Sequence, residues 1–217
     1  MLMTIAAPAV FDPLLSDVNF PLNAISQQQA DELFSFFKQH PLFNWENANN
    51  GCEGRADAVC VLLDEWHIPN YKAWVFSGAY LKKNAGQLKN YWNYHVAPLL
   101  AVEKDGQILY NVLDPAIADS LLPVEEWATA VTQVANTYYF IRESHWYIFP
   151  KHVTAKKWHS RNKQNRKWMI QGLAGINGLT KAGKASLTFN KAPIKKITRA
   201  FEHAKKDILV SDVLSGI

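Results

Sequence analysis

The spacing of apolar residues changes character along the chain. Ala30, Leu33, Phe34 and Phe37 recur at helical intervals, and Ser26 with Gln29 forms the S-x-x-Q pattern of a capping box. This predicts a helix to about Gln39, stopped by Pro41. Ala56, Val59, Cys60 and Leu63 repeat the interval and predict a second helix from near Cys52 to near Trp66, ahead of Pro69. The stretch from Asn47 to Gly51 between them is turn-rich. Strands are then expected at 72–78, 91–102 and 107–113, with Asp105-Gly106 as a two-residue hairpin turn between the last two. Pro123, Glu125 and Glu126 mark a helix start running through Trp127 to about Val134. Further strands are expected at 137–142 and 145–149. Helices followed by a run of strands make an α+β pattern.

The tail reads differently. Residues 152–170 are basic and compatible with a helix, and Gly172, Gly175, Gly178 and Gly183 suggest a flexible stretch. A last helix is expected at 194–209, with Ile194, Ile197, Phe201, Ala204 and Ile208 on one side. Lys195, Lys196, Arg199, Lys205 and Lys206 sit mostly elsewhere on it. Charge marks the same change. Residues 1–150 hold 8 basic and 16 acidic side chains, whereas 151–217 hold 15 and 3. The chain therefore divides into an irregular lead-in at 1–24, punctuated by Pro8, Pro13 and Pro21, a main domain at 25–150, and a basic, mainly helical extension at 151–217.

Composition narrows the classes. Apolar residues make up 48% and charged residues 19%, as in globular proteins, and no run of 18 apolar residues suggests a membrane span. The opening segment lacks a basic n-region and is a poor secretory signal. The expected location is the cytoplasm, or outside it by export without a cleaved signal peptide, as for an effector or toxin. Cys52 and Cys60 are the two cysteines, about 12 Å apart along one expected helix, too far for a disulfide. Both are expected to be free thiols. His145, His152 and His159 match no zinc spacing, and there is no Walker loop or G-x-G-x-x-G, so neither metal nor cofactor is expected.

The candidate chemistry starts at Cys52. It follows Asn50-Gly51 and opens a helix, where unpaired N–H groups and the dipole favour a thiolate, and Arg55 adds positive charge one turn on. Cys60 lies on the apolar stripe and reads as core. The hairpin supplies partners. If Lys104 pairs with Gln107, Ala97 faces the level of Asp114, and His95, Ala97 and Asp114 share one face. An imidazole beside a carboxylate is the arrangement that holds a base in its working tautomer.

These segments resemble a known family. N-N-G-C-E-G-R-A-D at 49–57, N-Y-W-N-Y-H-V-A at 90–97 and N-V-L-D-P-A at 111–116 are similar to bacterial protein-glutaminases, also called protein deamidases. The resemblance extends over roughly residues 27–150, with the first helix, the Trp127 region and the Tyr138-Tyr139 strand in matching order. It implies a papain- and transglutaminase-like core, with N-terminal helices packed on an antiparallel sheet. It implies Cys52 as nucleophile, His95 as general base and acid, and Asp114 as the residue orienting it. Glu53, Gly54 and Asp57 depart from what the family leads one to expect around its nucleophile, and the basic tail has no counterpart. Secreted members carry disulfides and a removable leader, neither of which is expected here.

The expected reaction is deamidation of protein-bound glutamine to glutamate through a Cys thioester. Trp92 and Tyr94 flank the base as candidate walls for the glutamine stem, with Asn50 as a further substrate contact. Alternatives on the same core are a cysteine peptidase or a transglutaminase. An inactive binding module is another, acting through the tail, where Trp158, His159 and Trp168 interleave with basic residues. The partner is then a glutamine-bearing protein, with nucleic acid, membrane or an acidic protein as further contacts for 151–217. The tail could also cover the Cys52 cleft.

Overall fold

The structure, a computed structural model, describes residues 24–47, 51–77, 88, 92–135, 137–149, 163–179 and 191–207. The expected lead-in, Asn50, His152, Trp158, His159, Gly183 and Ile208 lie outside the described residues.

A mainly antiparallel sheet is flanked by helices on both faces. The strands are β1 (Ile25–Ser26), β2 (Asn70–Phe76), β3 (Tyr94–Lys104), β4 (Gln107–Val112), β5 (Leu122–Pro123) and β6 (Tyr139–Glu143). Their order is β5-β4-β3-β2-β6, with β1 pairing parallel to the far end of β3. Among the described residues there are five helices: α1 (Gln27–Gln39), α2 (Cys52–Glu65), α3 (Val124–Thr132), α4 (Lys163–Ile176) and α5 (Lys191–Asp207). This is the α+β architecture that the alternating periods predict.

Local chemistry accounts for the elements that position the site. The α1 capping box is formed in both directions, Gln29 N–H to Ser26 Oγ and Ser26 N–H to Gln29 Oε1. The Asp105-Gly106 turn has φ of 52° and 74°, the type I′ geometry that matches strand twist. It pairs Lys104 with Gln107 and carries the expected register through Leu99 and Val112. β3 is central and buried on both faces, which explains its continuous apolar run.

One sheet face carries α3, through Val124, Trp127, Ala128 and Val131 against Ala73, Val75, Ala97 and Leu99. The other carries the remaining four helices. Leu33 and Phe37 of α1, Leu62 and Leu63 of α2, Met169 and Leu173 of α4, and Ile197 and Phe201 of α5 share one core. A buried ion pair, Lys72 Nζ to Asp57 Oδ1 at 2.8 Å, ties β2 to α2.

Two expectations are corrected. Residues 145–149 form turns and bends, not a strand. Their backbone is engaged elsewhere: Lys72 Nζ takes the Trp146 carbonyl at 2.7 Å, while Phe149 packs with Trp74 and Phe76. Gly172 and Gly175 belong to α4, where a flexible stretch was expected. A Cβ built on Gly172 would lie 3.3 Å from Gly54 Cα, so glycine serves close approach of α4 to α2. Tight backbone contact and flexibility both select glycine, and spacing alone does not separate them.

Gly172→Val is therefore expected to lower stability by about 1–3 kcal/mol through overpacking. Urea denaturation checks this, and an unchanged midpoint would show that the helices separate freely.

Candidate active site

The first turn of α2 presents Cys52. Its N-cap is Gly51, at φ 85°, where a Cβ would meet Ile176 Cγ2 at 2.7 Å. Only glycine suits both the left-handed backbone and that neighbour. No side chain caps the helix, which leaves first-turn N–H groups open. The loop ahead is fixed from two sides. The Ile176 carbonyl accepts Asn44 Nδ2 at 2.7 Å and Asn47 Nδ2 at 2.9 Å. Arg55, 3% exposed, donates to the carbonyls of Phe43 at 2.7 Å and Asn44 at 2.8 Å, and to that of Asn47. Arg55 thus acts first as a clamp on the loop, although its charge also faces Cys52 and Asp114.

The hairpin presents the other two groups. His95 Nε2 lies 2.7 Å from Asp114 Oδ2, with both side chains about 4% exposed. A carboxylate oxygen accepts, so Nε2–H donates and Nδ1 is left as the ring's second nitrogen. Trp127 Nε1 also donates to Asp114 Oδ2, at 2.8 Å. The Asp114 carbonyl accepts the N–H groups of Ile117 and Ala118, which fixes the turn after Pro115. Trp127 was expected on a helix, without this role. The only prior signal was an indole with a hydrogen-bond donor to satisfy in a helix bound for the core.

Cys52 meets β3 at its edge. Leu113 N–H donates to the Pro98 carbonyl, so alternate residues of β3 point toward β4. Beyond Leu113 that strand turns away at Asp114, and the Val96 N–H, of the same parity, is left open. The Cys52 sulfur takes it. The sulfur therefore sits beside the residue that follows His95. The thiol itself donates to Glu53 Oε2 at 3.4 Å. His95 Nδ1 is buried and, among the described residues, has no hydrogen-bond partner. The structure joins His95 to Asp114 by a hydrogen bond and brings Cys52 to the adjoining backbone, with the thiol hydrogen turned to Glu53.

The electrostatics differ from the expected thiolate. Burial pushes the Cys52 thiol up, and the Glu53 charge and hydrogen bond push the same way, against backbone N–H groups of Val96 and Glu53. Trp92 stacks on the imidazole with ring centroids 4.7 Å apart, and Trp127 stacks on it at 5.8 Å. Tyr94 packs on the opposite face with Cys52, Trp74 and Phe76. Cys60 is fully buried, and both cysteines are free thiols. Among the described residues no three His, Cys, Asp or Glu side chains gather as a metal-binding group, and no helix is long and apolar enough to cross a membrane.

Residues 30–131, just under half the chain, match a family model described as glutaminase. The NMR structure of protein-glutaminase from Chryseobacterium proteolyticum aligns at a TM-score of 0.52 and 16% identity, covering 76% of this chain and 92% of that one. A crystal structure of protein-glutaminase aligns at 0.56 and 15% identity, covering 75% and 96%. The fold is that of the protein-glutaminases. A crystal structure of pro-protein-glutaminase, at 0.57 and 16% identity, covers 80% of this chain and 66% of its own. No curated protein sequence matches the chain. The hairpin and the helix that starts at Cys52 both lie within the span matched by the family model.

Iodoacetamide labelling should find Cys52 half-reactive only above the ordinary thiol value of 9.0, and Cys60 unlabelled until denaturant is added. Cys52 labelling with a midpoint below that value would show a stabilised thiolate instead.

Proposed function

We propose that this chain hydrolyses the side-chain amide of protein-bound glutamine, yielding glutamate and ammonia through a thioester on Cys52. The observation that carries the reading is the buried 2.7 Å His95–Asp114 hydrogen bond beside the strand edge touched by the Cys52 sulfur. The glutaminase family match over residues 30–131 supports it independently.

Asp114 fixes the Nε2–H tautomer of His95 and leaves Nδ1 as the base. Nδ1 takes the Cys52 proton, and the sulfur attacks the γ-carboxamide carbon. The carbonyl electron pair moves to oxygen, where the open Cys52 N–H donates to it. The imidazolium then protonates the departing nitrogen, ammonia leaves, and a thioester remains. Water gives a proton to the same imidazole, attacks the thioester carbon and frees glutamate and the thiol. Trp92, lying on the imidazole, walls the glutamine stem. Asn50 is kept as a substrate contact on sequence grounds.

Incubation with a glutamine-rich protein should release ammonia and convert glutamine to glutamate, read by mass spectrometry. Cys52→Ala and His95→Ala should abolish this. Asp114→Asn should reduce it by about four orders of magnitude, as in other triads whose base is left in the wrong tautomer. Trp127→Phe should cost about ten- to a hundredfold, the worth of one hydrogen bond to a charged group. Peptide-bond cleavage or lysine cross-links in place of glutamate would contradict the proposal, as would an active Cys52→Ala.

A further inference from the structure

The resting thiol and the acceptor nitrogen of the base do not address each other. Cys52 Sγ donates to Glu53 Oε2 at 3.4 Å, while His95 Nδ1 is buried and unpartnered among the described residues. An acid in a helix's first turn is ordinarily favourable to the helix. Here it sits directly beside the nucleophile and takes its hydrogen.

We infer that Glu53 is a proton-holding residue of the active site, whose carboxylate keeps the Cys52 hydrogen from His95 Nδ1 so that the resting protein is a neutral, unreactive thiol. The inference rests on the reading of Cys52 as nucleophile and deepens it. Activation is a change of hydrogen-bond partner. Rotation about Cα–Cβ swings the sulfur from Oε2 toward Nδ1 with no covalent bond broken. The S–H bond then breaks, its proton goes to Nδ1, and the sulfur electron pair forms the bond to the amide carbon. Glu53 remains an unchanged carboxylate throughout.

The surroundings leave Glu53 as the controlling charge. From α2 itself, Glu53 and Arg55 face the thiol, and Arg55 is held by the carbonyls of Phe43, Asn44 and Asn47. β3 brings Tyr94 and His95, and Asp114 stands behind His95. The segment after β6 brings Tyr147, whose phenol faces Cys52, Glu53, Asp57 and Tyr94 and is pushed up by burial first and then by these groups. Asp57 is held by Lys72. The α4 residues nearest to Gly51 and Gly54 are Met169, Gly172 and Ile176, none of them charged. Burial and Glu53 both push the thiol up, so removing the carboxylate brings it partway down.

The test is the pH dependence of iodoacetamide alkylation, read at Cys52 by mass spectrometry in the full chain. Glu53→Gln should move the midpoint to lower pH and raise the neutral-pH rate about tenfold, one unit of pKa. Glu53→Asp, which keeps the charge, should stay nearer to wild type than Glu53→Gln. Glu126→Gln, exposed on α3, should match wild type and control for net charge. Melting curves check folding, and Glu53→Ser carries the same expectation as Glu53→Gln if glutamine disturbs the first turn. A Glu53→Gln or Glu53→Ser profile that superimposes on wild type, or moves to higher pH, overturns the inference. Alkylation needs no substrate, so failure of the deamidation assay and failure of this inference are read separately.

Discussion

The 2.7 Å hydrogen bond between His95 and Asp114 exists because of a register set elsewhere. The Asp105-Gly106 turn fixes Lys104 against Gln107, and every later pair follows from that choice. A slip of one residue would put the imidazole and the carboxylate on opposite faces. At the far end of the ladder β4 leaves β3 at Asp114, and this departure does two things. It frees the Asp114 side chain to meet both His95 and Trp127, and it opens the Val96 N–H to the Cys52 sulfur. The strand that brings the acid thus also makes the gap that admits the nucleophile.

The helix bearing Cys52 is held to that gap by parts distant in sequence. Gly54 and Gly172 let α2 and α4 touch, and the end of α4 accepts the side chains of Asn44 and Asn47. Arg55 closes the same loop from the opposite side. The basic stretch after residue 150 therefore supplies part of the seat of Cys52. Its apolar stripe at Ile197 and Phe201 joins the core of α1 and α2, while Lys195, Lys196 and Arg199 are exposed.

Much of this was legible because short-range rules dominate it. The capping box at Ser26, the start of α2 at Cys52 and the hairpin register all follow from neighbouring residues. Features set by distant contacts were not legible. Gly172 looked like flexibility and is a packing contact. Residues 145–149 looked like a strand, yet Lys72 claims their backbone. Arg55 faces Cys52 as expected, but burial and Glu53 set the balance at the thiol the other way.

The account turns on which nitrogen of His95 carries its hydrogen. Nitrogen-15 NMR of the imidazole reads this directly. The account predicts a protonated Nε2, bonded to Asp114, and an Nδ1 with a free lone pair. A ring protonated at Nδ1, with Nε2 bare, would contradict it.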